Sequence, residues 1–532
     1  MAKIVDGRTQ FCSIGNGSLR NRDRNLGQRT SIFWTFAFLL LGALCLGQET
    51  SASLRLVGDL NKGPSSAYGT SSSPSNLAVL DDRLCFIADD GVHGAEPWSW
   101  DGTPKGFQLL DEIFPGAAGI SRQVSPGDQL YVSENRLILN AGAGNGPRCI
   151  YSEESRKFNP LTSDGIGLLR PYLYSVGDKM LVSATLQDGS VALNHMIIGV
   201  LNDDDSITRV LSFSSNGRAA SFRFMQVADR QALLYMEYTQ DSVNLSRTDG
   251  TTSGTFILKS FPNTQVAADY FPIGMLGDLR VYAILIYDAS GVRRNFLVQT
   301  DGTVENTTVF PQDYPSFWTG ERPQPSLDGP IIFSISTRTG TAIMFAEGDL
   351  SLMHPIISLP SDGSLYYARK FGDQYIFLTT SGVQAQSILW LTDGTSEGTH
   401  VIHDLGKAYP LASVAIWNGF YYYGLKPQST SSYQLWRTDG TESGTKMVFQ
   451  SMEVPVLTQM TVFQNMLVFG ARLDAERGAE LYALLPDGAH EDETSNTLQL
   501  LGVQSGASDF NSDCAVDSSD GQIVRFSIGG AK

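Results

Sequence analysis

The chain has 532 residues, 42% of them hydrophobic and only 17% charged, with a formal net charge of −17. There is enough apolar material for a large core, and the negative balance excludes the positive field by which a protein holds nucleic acid or anionic lipid. Glycine is abundant, at 53 residues, which suits many short strands joined by tight turns better than long helices.

The first 47 residues stand apart. Lys3, Arg8, Arg20, Arg22, Arg24 and Arg29 against Asp6 and Asp23 make them net +4, and the apolar run "SIFWTFAFLLLGALCLG" follows from Ser31 to Gly47. A basic stretch, a hydrophobic stretch and a small-residue exit read as a secretory signal. The run is short of the ~20 apolar residues a bilayer span needs, and a single N-terminal anchor is the rival reading. Cys45 does not mark a lipoprotein, because Leu44 precedes it where a small residue is wanted. Removing residues 1–47 takes the formal net charge from −17 to −21, an acidic exported chain that suits divalent cations. Three cysteines remain (Cys85, Cys149, Cys514), an odd number that makes no disulfide framework.

Residues 54–503 repeat a phrase. "LWLTDGTSEGTHVIHDLG" begins at Leu389 and "LWRTDGTESGTKMVFQSM" at Leu435. Related turns place Asp101, Asp249, Asp301, Asp393, Asp439 and Asp487 in register, with Glu347 at the matching place in "IMFAEGDLSLMHPIISL". Spacings from Asp249 onward are 52, 46, 46, 46 and 48 residues. The 148 residues from Asp101 to Asp249 hold two degenerate copies, "CIYSEESRKFNPL" and "MIIGVLNDDDSITRVL". A period in the high forties without amphipathic helices points to four short strands per unit, the blade of a β-propeller. The unit closing at Asp439 divides into "THVIHDL", "YPLASVAIW", "GFYYYGLK" and "YQLWRTD". Asp-Gly between strands is hairpin chemistry: glycine accepts positive φ and the carboxylate caps backbone N–H groups, helped by the following Thr. Of Leu435 and Trp436 ahead of it, alternation sends one into the core between sheets. Metal or sugar binding by these aspartates would need several to converge, whereas propeller turns point away from one another.

The phrase resembles the ELWxxDGT repeat of large exported bacterial proteins, with residues 389–406, 435–448 and 96–116 carrying the best matches. The resemblance implies an exported propeller-like protein and carries no established chemistry. "LRLVGDLNKG" at 54–63 looks like a unit's tail without its head, and "NTLQLLGV" at 496–503 like another. Such ends invite ring closure, one terminus completing a blade begun by the other. The expected fold is all-β, a single ring of seven to nine four-stranded blades.

Residues 505–532 carry the sharpest chemical motif. "DFNSDCAVDSSDGQIVRF" places Asp509, Asn511, Asp513, Asp517 and Asp520 at positions 1, 3, 5, 9 and 12 of an EF-hand loop, with the Ala515 carbonyl at position 7. Calcium takes six to eight hard oxygens in such a loop. Val516 is the usual apolar pin, and Ile523, Val524 and Phe526 can form the apolar face of a short exiting helix. The loop resembles a single dockerin-type repeat, with Cys514 where the sharp turn wants glycine. An acidic disordered tail is the bland alternative.

Nothing else in the chain names a chemistry. His400 and His403 sit three apart on an expected strand and face opposite sides. No HExxH, paired CxxC, GxSxG or P-loop occurs, and "NAGAGNGP" at 140–147 lacks a following helix. Two readings of function survive. One is an exported, non-catalytic interaction or surface protein, extracellular or periplasmic, with a protein or glycan partner and a calcium-dependent C-terminal docking or sorting element. The other is a carbohydrate-active enzyme on a propeller scaffold, which requires two carboxylates at catalytic separation in a funnel.

Overall fold

The computed structural model describes residues 53–61, 71–113, 130–486 with interruptions in connecting loops, and 523–525. Apart from one turn of 3-10 helix at Leu350–Leu352, every described element is a strand. The strands form antiparallel meanders of four. Blade 1 is Ser75–Leu80, Arg83–Asp89, Ala95–Trp100 and Phe107–Leu109, paired in that order. Blades 2 to 6 follow at 130–160, 166–214, 225–262, 269–312 and 316–359. A seven-stranded sheet over 364–451 is two blades, 7 and 8, run together by one 18-residue strand, His400–Trp417. Its first half pairs with Gln386–Thr392 as the outer strand of blade 7, and its second half pairs with Phe420–Pro427 as the inner strand of blade 8.

Blade 9 closes the ring. Met460–Phe463, Met466–Asp474 and Gly478–Leu485 supply three strands, and the N-terminal Ser53–Gly58 supplies the fourth, with Leu54 opposite Leu484 and Leu56 opposite Tyr482. The headless tail at the start of the repeat thus completes the blade begun at its other end. The structural blades are offset by one strand from the units read along the sequence: the strand after each Asp-Gly turn is the outer strand of its own blade, not the first of the next.

Both faces of every blade are buried, which fixes the packing. Nine apolar clusters fill nine seams. Between blades 8 and 9, Leu435, Val448 and Phe449 meet Leu54, Leu467, Phe469 and Leu484. Between blades 9 and 1, Val468, Leu481 and Ala483 meet Leu84, Phe86 and Trp100, so the last blade packs on the first. Fully burying a side chain of this size stabilises by about 1.5–3 kcal/mol, and these clusters are the main cement of the ring. Leu435 and Trp436 correct one expectation, since both enter a core. Leu435 faces the seam to blade 9 and Trp436 packs into the seam to blade 7, because a radial sheet has a neighbour on each side.

The expected exiting helix is corrected where it can be described. Ile523–Arg525 is a strand, antiparallel to Ser53–Gly58, with Arg525 opposite Ser53. The outer edge of Ser53–Gly58 offers a row of backbone N–H and C=O groups, and β-branched Ile523 and Val524 suit pairing with it better than helix.

Candidate functional site

The repeated turn is a closed hydrogen-bond circuit. In blade 8, Gly440 stands at φ +90° after Asp439. Asp439 Oδ1 accepts from the Thr441 amide (2.9 Å) and hydroxyl (2.7 Å). The Gly440 amide donates to Thr438 Oγ1 (3.0 Å), and the Gly444 amide to Thr441 Oγ1 (2.9 Å). Thr445 Oγ1 donates to the Thr441 carbonyl (2.6 Å) and lies 2.8 Å from the Thr438 hydroxyl. The same aspartate–threonine pairing recurs at Asp101, Asp249, Asp301 and Asp393, with the Asp Oδ1 to Thr amide distance at 2.8 or 2.9 Å in each. The second glycine of the phrase is set by space: a Cβ on Gly444 would stand 1.9 Å from Asp439 Oδ1. Blade 5 solves the same problem differently, with Asn306 in that place donating to Asp301 Oδ2 at 2.6 Å. In blade 6 the cap moves on from Glu347 to Asp349, which accepts from the Ser351 amide (2.7 Å) and from Gln299 of blade 5 (2.6 Å).

These bonds have an electrostatic consequence. At Asp249, burial opposes ionisation, but the Thr251 hydroxyl and amide outweigh it and hold the carboxyl below its usual range. At Asp101 the Thr103 hydroxyl leads, and at Asp393 the Thr395 amide, in the same direction. The turns also knit neighbours together. Arg247 donates to the Gly302 carbonyl (3.0 Å), Lys179 to Asp249 (3.4 Å) and Gln464 to Asp101 (2.9 Å), each across a seam. The aspartates therefore serve their own loops, one per blade, and do not converge.

Two buried carboxyls were not singled out by sequence. Glu96 and Glu480 are fully buried at the start of the third strand of blades 1 and 9. Glu96 Oε2 accepts from the Ile113 amide (3.0 Å), on the segment leaving blade 1. Glu480 Oε1 accepts from the Ser72 amide (2.8 Å), its Oε2 meets the Ser72 hydroxyl, and the Leu60 backbone bonds to it as well. Each caps the segment that leaves its blade for the next. The signal was present, since residues 94–96 and 478–480 both read Gly-Ala-Glu.

The predicted calcium ligands Asp509, Asn511, Asp513, Ala515, Asp517 and Asp520 lie outside the described residues, as does Asp487. Among the described residues no group of three or more His, Cys, Asp or Glu side chains is placed to hold a metal. His400 Nδ1 lies 3.2 Å from the Gly398 carbonyl, while His403 packs on Trp436 across the blade 7–8 seam. Cys85 is a free, buried thiol, pushed up to about 12 by burial. The inner strands of the nine blades, as described, carry a single acidic residue, Asp269, and so no carboxylate pair.

No family model matches the chain. No curated protein matches it either. Solved structures do resemble it. A prolyl endopeptidase is 10% identical with a TM-score of 0.38, over 85% of this chain and 61% of its own. Prolyl oligopeptidase B from Galerina marginata is 12% identical with a TM-score of 0.38, over 89% of this chain and 63% of its own. This chain thus spans less than two thirds of the length of either. The β-propeller domain of the Trilobed protease from Pyrococcus furiosus is 9% identical with a TM-score of 0.32, over 71% of this chain and 97% of its own. At such scores these likenesses carry no argument about activity, and the propeller stands on its own sheets and seams.

Proposed function

We propose that this chain is an exported, non-catalytic interaction protein of the ELWxxDGT-repeat kind. The ring is its platform, and the C-terminal loop is a calcium-dependent docking or sorting element resembling a single dockerin repeat. The supporting observation is how the repeat uses its acidic side chains. Asp101, Asp249, Asp301, Asp393 and Asp439 cap their own turns, and Glu96 and Glu480 cap blade connectors. The phrase that defines the repeat is spent on building blades, which leaves recognition to the loops around the ring and to the tail.

In the tail, Asp509, Asn511, Asp513, Asp517 and Asp520, with the Ala515 carbonyl, have the residue types and spacing of a calcium loop. Calcium would neutralise four carboxylates that otherwise repel one another within twelve residues. The exported setting supplies it: extracellular calcium modules bind at about 10⁻⁴–10⁻³ M. Partners are accordingly a protein or an extracellular glycan. Calcium titration calorimetry on the whole exported protein tests this reading. One site in that range for the wild type, lost in Asp509→Ala, is expected. No calcium heat, or equal affinity for the variant, rejects the calcium element.

A further inference from the structure

We infer that one mouth of the ring is a docking face for a cationic, amphipathic segment of a partner protein. Its apolar side seats on blades 8, 9 and 1, and its lysines or arginines meet the acidic turns on either side. This rests on the interaction reading above and says where on the ring, and by what chemistry, the partner binds; it makes no use of the calcium loop.

In a four-stranded meander the turns after the first and third strands fall at the same end. The contacts agree. Gln464, in the first turn of blade 9, donates to the Asp101 carbonyl in the Asp-Gly turn of blade 1 (2.9 Å), and Lys179, just after the first turn of blade 3, donates to the Asp249 carbonyl (3.4 Å). The first turns stand nearest the axis, because radiating sheets come closest at their inner strands. In blades 1, 3, 5, 7, 8 and 9 they are the two-residue hairpins 81–82, 177–178, 277–278, 372–373, 418–419 and 464–465, closed by equivalent strand pairs.

Two positions before the hairpin, the consecutive blades 8, 9 and 1 place Ile416, Val462 and Val79, exposed by 43, 44 and 36%. The same place holds Ser175 in blade 3, Lys370 in blade 7, and in blade 5 Met275, which is only 8% exposed. The three inner strands adjoin: Gln459 Nε2 donates to the Leu77 carbonyl (2.8 Å), and the Met460 amide to Ser413 Oγ (2.6 Å). The exposed side chains therefore make one apolar arc. Aliphatic groups gathered on neighbouring strands, rather than scattered singly, mark an interaction surface.

The charge around the arc says what covers it. The hairpins of blades 1, 3, 5 and 7 present exposed Asp82, Asp178, Asp278 and Asp373, whereas those of blades 8 and 9 read Asn418-Gly419 and Gln464-Asn465. Asp373 and Asp82 thus flank the arc on its two sides. Further out at the same end stand the Asp-Gly turns. There the Thr103 hydroxyl holds Asp101, and the Thr395 amide holds Asp393, below the usual carboxylate range, so both stay charged in mild acid. A second copy presenting this face would be repelled, and a cationic segment attracted.

Fluorescence anisotropy tests this on the whole protein with a labelled peptide of about 18 residues, patterned as a lysine–leucine amphipathic helix. Saturable binding that weakens as salt rises through about 0.05–0.5 M is expected. Asp82→Asn with Asp373→Asn should weaken binding about tenfold and flatten the salt dependence. Glu112→Gln with Asp362→Asn makes the same charge change at the opposite end, on segments leaving the outer strands of blades 1 and 6, and should alter binding less than about twofold. Ile416→Ser with Val462→Ser should cost about tenfold with the salt dependence unchanged. A lysine–serine peptide of equal charge should lose the same apolar contribution, which keeps that arm readable if the variant does not fold. No binding, equal losses from the two acidic pairs, or a lysine–serine peptide as tight as the lysine–leucine one overturns the inference. Binding that appears only when residues 1–47 are absent would put the chain's own basic segment on this face and overturn it equally. Calcium calorimetry reads the tail and this titration reads the mouth, so either can fail alone.

Discussion

Two blades carry a buried phenol where three others carry a phenylalanine. The fourth residue of the second strand is Phe86 in blade 1, Phe377 in blade 7 and Phe469 in blade 9, each fully buried in a seam. Blades 5 and 8 place Tyr282 and Tyr423 there, equally buried, and neither hydroxyl has a hydrogen-bond partner among the described residues. In the unfolded chain those hydroxyls bond to water, so folding strands them at a cost of about 1–3 kcal/mol each. Tyr282→Phe or Tyr423→Phe removes that cost and leaves a void of about 10 Å³, worth only ~0.2 kcal/mol. Each variant should therefore gain about 1–2 kcal/mol. The double variant should gain roughly the sum, because blades 6 and 7 lie between the two sites. The converse, Phe377→Tyr, should lose about 1–3 kcal/mol. Urea unfolding followed by fluorescence measures this as a shift in midpoint at constant slope. Burial also holds both phenols above their usual value, so the wild type should shed stability as pH rises past about 10, and the double variant less. A loss of more than about 1 kcal/mol in either Tyr→Phe variant would show that its hydroxyl is bonded, and the reasoning would fail.

The turn circuit and the proposed export signal make further predictions. Gly444→Ala would set a methyl into the Asp439 carboxylate, expelling it from Thr441 at a cost of about 1–2 kcal/mol. If that is the cause, adding Gly444→Ala to Asp439→Ala should cost almost nothing more, and additive losses in the double-mutant cycle would refute it. If residues 1–47 are a cleaved secretory signal, as proposed, the secreted protein should begin near Gln48 on N-terminal sequencing; an intact Met1 on a secreted sample would contradict cleavage, and retention in the membrane would favour the anchor.

What was legible in the sequence was whatever depends on near neighbours along the chain. An aspartate, two glycines and three threonines within eight residues form their own circuit, so the phrase marks the same turn wherever it occurs and its period reveals the blade. Period-2 alternation likewise marks strands. Even the headless tail at 54–63 announced a blade completed from elsewhere, because a strand that ends a unit cannot stand alone. The tertiary structure decided what depends on residues hundreds of positions apart. It set the ring at nine blades, since the copies over 130–214 keep their strands after losing the turn phrase, and packing rather than turn chemistry preserves a blade. It sent Leu435 and Trp436 into different cores, because a radial sheet is buried on both faces. It also gave Glu480 its role: only when residue 72 is brought against residue 480 does a glutamate that reads as an ordinary strand residue become the buried cap of a blade connector.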